Sequence, residues 1–72
     1  MSKYYFGAQV KVNNRLVIPI YRSEREGVWT LIAFAIINDS LVIPVCGYEN
    51  CMQEVMEKLQ AKKPYISWQL KC

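Results

Sequence analysis

From Ser2 to Val12 the chain alternates. Tyr4, Phe6, Ala8, Val10 and Val12 fall on one side, and Tyr5, Gly7, Gln9 and Lys11 on the other. A period of two is the signature of a half-buried strand. Asn13-Asn14-Arg15 reads as a turn, because Asn tolerates left-handed backbone and bonds its own main chain. Leu16 to Arg22 is the return strand, with Leu16, Ile18 and Ile20 on one face and Val17, Pro19 and Tyr21 on the other. A three-residue loop would set Leu16 opposite Val12 and Ile18 opposite Val10, apolar against apolar. A two-residue loop would set Leu16 and Ile18 opposite Lys11 and Gln9. The first register is expected, since a slip of one residue sends every side chain to the wrong face.

Ser23-Glu24-Arg25-Glu26-Gly27 is the most polar run and reads as a connecting loop. Val28 to Ile37 then lacks polar alternation. Its β-branched and aromatic content, with a turn at Asn38-Asp39-Ser40, favours a strand over a buried helix. Leu41 to Cys46 returns. The two hairpins, 3–22 and 28–46, repeat: VKVNNRLVIPIY and AIINDSLVIPVC lie 25 residues apart and share Asn, Leu, Val, Ile and Pro at matching places. Proline cannot donate to a strand ladder, so the repeated Pro19 and Pro44 predict edge or bulged second strands, with the first strands inside.

A helix is predicted over 51–63. Asn50 can cap it, with Gln53 as the reciprocal partner. Met52, Val55, Met56 and Leu59 form one apolar stripe, and Glu54 and Lys58 an outer-face pair. Pro64 stops the helix. Residues 65–71 alternate again, with Ile66, Trp68 and Leu70 inward. The fold class is therefore α+β, a single domain over 1–72 in the order ββββαβ: two repeated hairpins in a mostly antiparallel sheet packed by one helix.

This pattern leaves a surplus. The Val28–Ile37 strand is apolar on both faces, with Trp29, Leu31, Ala33, Ala35 and Ile37 on one and Thr30, Ile32, Phe34 and Ile36 on the other. One helix covers one face. The other must be hidden by curling of the sheet into a small barrel or by a second chain. A homodimer is expected, with Phe34, Ile36, Val42 and Cys46 near the centre of the interface.

Composition narrows the chemistry. The chain has 72 residues, 53% hydrophobic and 21% charged, with three Gly and three Pro. That excludes disordered and low-complexity classes. There is no histidine, so the commonest general base and metal ligand is missing. Three cysteines, Cys46, Cys51 and Cys72, supply too few ligands for structural zinc. As an odd set they read as reduced thiols in a cytosol, with a Cys46–Cys51 bridge and pairing of Cys72 to another chain as the alternatives. The six carboxylates show no catalytic pairing, and the isolated glycines make no phosphate loop. Cys51 falls in the first helical turn, where a dipole lowers a thiol pKa, but it lacks a base. No enzyme activity and no cofactor are expected. The longest uncharged stretch, Gly27 to Asn38, is twelve residues against the roughly 20 of a membrane helix, and no signal segment is expected at the start of the chain. A cytoplasmic protein is expected.

Net charge is +3, with the excess in residues 1–26. Tyr5, Lys11 and Tyr21 share a face under the three-residue loop, with Arg22 and Arg25 beyond. Basic residues among aromatics are the pattern of a single-stranded nucleic-acid binder, and the ββββα order resembles that of small dimeric single-strand-binding proteins. The reading preferred on these grounds is a non-enzymatic protein-interaction module. A small inhibitor or accessory protein that binds a larger machine would look like this, as would small proteins of phage or other mobile elements. Nucleic-acid binding through the basic and aromatic face is the alternative.

Overall fold

The computed structural model describes residues 3–70. Six strands form one sheet: β1 (Tyr4–Phe6), β2 (Val10–Val12), β3 (Arg15–Arg25), β4 (Val28–Ile36), β5 (Leu41–Pro44) and β6 (Ser67–Trp68). One helix, α1 (Met52–Gln60), packs on it. The order across the sheet is β1-β3-β4-β5-β6, with β2 also on β3. All pairings are antiparallel except β5 with β6. The α+β class holds. The path is an open sheet, so among the described residues curling into a barrel does not cover the second face.

β3 is the spine. It pairs with β1 and β2 on one side and β4 on the other. The prediction that the proline-bearing strands lie outside is therefore overturned for the first hairpin, where the first strand is the edge; in the second hairpin β4 is interior, and β5 has beyond it only the two-residue β6, which does not reach Pro44. The reason is local. The Pro19 carbonyl accepts from the Gly7 amide at 2.8 Å. In an antiparallel pair a residue's nitrogen and carbonyl face the same neighbour. The missing donor of Pro19 thus faces the interruption at Gly7–Gln9, where no ladder bond is needed, and β4 is undisturbed.

That interruption also splits the predicted first strand. Phe6 pairs with Ile20, and Val10 with Val17. Three residues of one strand stand against two of the other, which reverses the phase. Tyr4 points to the core, while Val10 and Val12 lie on the outer face with Val17. Gly7 is required by close approach: a Cβ there would meet the Pro19 ring at 2.9 Å and the Tyr21 ring at 3.2 Å.

The first turn has two residues, not three. Val12 pairs with Arg15, and Lys11 with Leu16. Asn13 and Asn14 both adopt positive φ, at 50° and 66°. Such a turn matches the right-handed twist of its strands, and the Val10–Val17 pair keeps apolar against apolar. The second turn differs despite its similar sequence. Ile37–Asp39 make a turn of 3-10 helix, closed by Ser40 at φ 50°. The two turns touch: the Asn38 side chain accepts from the Leu16 amide at 2.7 Å, and Arg15 pairs with Asp39.

The polar run predicted as a loop is mostly strand. β3 continues to Arg25, and only Glu26-Gly27 turns, with Gly27 at φ 78°. The β3–β4 ladder contains the decisive irregularity. Ile20 pairs with Ala33 but Tyr21 with Leu31, so Ile32 is an extra residue. A bulge places two successive side chains on one side. Ile32 and Ala33 are both fully buried, and the phase of β4 changes there.

The core is Tyr4, Ile20, Ile32, Ala33, Ala35 and Val42 from the sheet, with Met52, Val55 and Met56 from α1 and Ile66 beyond it. Leu59 packs against its margin. The predicted Asn50 cap does not form: a 3-10 turn at Glu49–Cys51 runs into α1, with Cys51 at the cap position and no side-chain cap bond. The helix needs none, because the preceding turn already continues its backbone. Glu54 approaches Lys3 Nζ at 3.9 Å. After α1, Ile66 is buried as predicted, but Trp68 and Leu70 are exposed, since two-residue β6 is itself the sheet edge. Lys71 lies outside the described residues.

Candidate interaction surface

The helix covers one face of the sheet. The other carries the odd-numbered side chains of β3 together with the residues that the Ile32 bulge turns outward in β4. At one end, Tyr5, Tyr21 and Trp29 line an open hollow of about 380 Å³. Their rings touch: Tyr5 lies 6.1 Å from Tyr21 and 5.8 Å from Trp29, centroid to centroid, at tilted angles. Such tilted geometry is the favoured one for aromatic pairs. At the other end, Val12, Val17, Phe34, Ile36 and Ile43 line a second hollow of about 280 Å³. Phe34 stands opposite Pro19, midway along the ladder between the two ends.

The exposure of these groups is large. Tyr5 is 54% exposed, Trp29 49%, Val12 50% and Phe34 37%. The face is apolar because the bulge sorts β4 into two sets. Ile32, Ala33 and Ala35 go under the helix, and Trp29, Leu31, Phe34 and Ile36 go outward.

The expected interface residues divide accordingly. Phe34 and Ile36 stand on the outer face with Val17 and Ile43. Val42 does not: it is fully buried under α1 and is a core residue. Its neighbours Leu41 and Ile43 alternate with it, so only they reach the other side. Cys46 lies exposed beyond the end of β5, away from the centre of the face, and it is disulfide-bonded. Cys51 is a buried free thiol. The expectation of reduced thiols therefore fails at Cys46, and no Cys46–Cys51 bridge forms, because Cys51 turns inward while Cys46 stays at the surface. Cys72 lies outside the described residues.

The expected nucleic-acid residues are also separated. Tyr5 and Tyr21 are joined, with Trp29 completing the cluster. Lys11 is not with them; it alternates with Val10 and Val12 and so faces the helix side at the sheet edge. Arg22 is on the helix side as well. Its Nη1 donates to Cys51 Sγ at 3.1 Å, its Nη2 donates to Glu24 at 2.8 Å, and its guanidinium lies 5.4 Å from the Tyr48 ring centroid. The Glu24 carboxylate holds Arg22 above its ordinary pKa, against the opposing effect of burial. Arg25 is exposed at the hairpin end, and Lys58 lies on α1.

Sequence reasoning missed Trp29, Val12, Val17 and Ile43 as site residues. Periodicity places Val17 on the face of Pro19 and Tyr21, but it could not bring Val12 and Trp29 there, because the phase changes at Gly7–Gln9 and at Ile32 reassign faces within their strands. Among the described residues there is no group of three or more His, Cys, Asp or Glu that could hold a metal ion, and no helix is long and apolar enough to cross a membrane. No family model, curated protein or solved structure matches the chain.

Proposed function

We propose that this chain is a non-enzymatic protein-interaction module that works through the outer face of its sheet. The observation that carries the reading is the pair of apolar hollows on that face, Tyr5–Tyr21–Trp29 at one end and Val12–Val17–Ile43 at the other, with Pro19 and part-exposed Phe34 between them. Large exposed apolar patches on small domains mark sites that another surface covers. Aromatic residues at the centre of such a patch are the anchors that contribute most to protein association. An inhibitor or accessory role, in which this face blocks or bridges a larger protein, is the finer form of the proposal.

The aromatic cluster is the one observation in favour of single-stranded nucleic acid, since it could stack bases. Charge argues the other way. Backbone binding needs cations beside the aromatics, and Lys11, Arg22 and Lys58 belong to other surfaces, while Arg15 is engaged by Asp39; of the expected cations only Arg25 stands at the same hairpin end as Trp29. The protein reading is therefore preferred. The disulfide at Cys46 favours an oxidising environment over the cytoplasm that sequence alone suggests.

A photo-crosslinking side chain at Trp29, compared with one at Glu57 on the outer side of α1, tests the proposal in native cells. Protein adducts are expected from position 29 and not from 57. Equal adduct formation from both, or none from 29, would remove the basis for this reading.

A further inference from the structure

We infer that, when no other partner is present, the outer face is covered by a second copy of this chain, sheet against sheet about a two-fold axis. This rests on the reading of that face as an interaction surface and names its first occupant. Three observations carry it. The first is size. Taking roughly 150–250 Å² for a whole aromatic side chain, the part-exposed Tyr5, Trp29 and Phe34 expose about 200–350 Å², and the half-exposed Val10 and Val12 add to it. The partly exposed Pro19, Tyr21, Leu31, Ile36 and Ile43 extend the same face toward the ~800 Å² that one side of a standard interface contributes. The molecule as a whole exposes 5006 Å², so the patch is a large share of it.

The second observation is charge. Each copy carries +3, yet the face is lined by apolar and aromatic groups, with Arg15 at its margin already paired to Asp39. Two copies can meet there without burying an unpaired charge.

The third observation is the distribution of shape along the strands. The aromatic hollow lies at the Ser23–Trp29 end of the β3–β4 ladder and the aliphatic hollow at the Val17–Ile36 end, with Pro19 and Phe34 between. A two-fold axis lying in the interface and crossing the strands at Phe34 exchanges the two ends. The Tyr5–Tyr21–Trp29 rings of each copy then sit over the Val12–Val17–Ile43 hollow of the other. The contact is made twice, as an isologous interface requires, and the strands of the two sheets run nearly aligned, as in stacked sheets.

Sedimentation across a dilution series tests this, with Trp29→Glu and Val12→Lys as variants. Both positions are about half exposed in the single chain, so folding is retained; circular dichroism verifies it. The parent is expected to be a dimer at micromolar concentration. Each variant alone is expected to weaken association by on the order of 100-fold, since the symmetry places every change at two contacts. Mixing the two variants is expected to restore a dimer, because one end of the mixed dimer then holds both changes, with opposite charges, and the other end is unaltered. A dimer that ignores both substitutions, or a mixture that stays monomeric, overturns the inference. A parent that is monomeric yet binds an apolar dye, with binding lost in Trp29→Glu, overturns it while leaving the interaction surface standing. A monomer that binds no dye removes both.

Discussion

Tyr4 is the residue in which burial and charge meet. It is 4% exposed beneath α1. Burial raises its phenol above the ordinary value of 10.0, and Cys51 and Glu54 raise it further. A folded-state pKa above the unfolded one means that the folded chain holds this proton longer. Stability from this group is therefore intact below pH 10 and is lost as pH rises from there through the folded value. Tyr4→Phe should flatten part of that alkaline decline; denaturant midpoints for parent and variant between pH 8 and 11 measure it, and parallel curves would mean the slope arises elsewhere. Cys51, beside it, should resist alkylation in the folded state and react once the chain is unfolded, read by mass spectrometry. Burial of Ile20, Met52, Val55 and Ile66 was legible from the sequence, because each sits in an element of unbroken period. The side of Val42 and Lys11 was not. Each depends on a register that a turn or bulge several residues away decides.

The elements owe their limits to backbone conformation more than to propensity. The two-residue turn at Asn13-Asn14 requires left-handed backbone twice. Asn14→Ala should cost about 1–2 kcal/mol, the penalty of left-handed backbone at a residue with a Cβ and no amide to compensate. Asn14→Gly should instead hold or raise stability; thermal melts of both variants decide it, and equal melts would argue for the three-residue loop. The helix stripe was visible at Met52, Val55 and Met56, and it packs as its spacing implied. Val55→Asp should unfold the domain or cost several kcal/mol, since it would bury an unpaired charge; an unchanged melting temperature would mean that the helix does not pack there. What the sequence could not reveal is the bulge at Ile32. Apolar residues run through both faces of β4, so nothing in the pattern marks where the phase changes. The repeat of LVIP at Leu16 and Leu41 was equally visible, yet the two hairpins close with different turns. Ile37–Asp39 form a 3-10 turn closed by Ser40 where Asn13-Asn14 makes the tight one.

At the scale of the whole molecule, most of the expected cations stand away from the aromatic surface, with Arg25 alone beside the Trp29 end. Single-stranded oligonucleotides should therefore show no anisotropy change at 50 mM salt; tight binding that weakens steeply with salt would return nucleic acid to first place. Topology bears on a different property. From β1 to β5 each strand pairs with a neighbour close in sequence, through turns of a few residues. β6 alone reaches its place by a crossover through α1, and it holds there with Ser67 and Trp68 and the flanking bonds from the Ser67 amide to the Ser40 carbonyl and the Gln69 amide to the Val42 carbonyl. Loop closure makes such a pairing late to form, and few bonds make it early to open. In hydrogen-exchange terms, the amides of Ser67 and Gln69 should exchange through a small local opening while those of β3 and β4 wait for global unfolding. The sheet is thus a meander that assembles from one end and a latch that is set last at the other. Each release of that latch uncovers one edge of β5 without disturbing the outer face of the sheet.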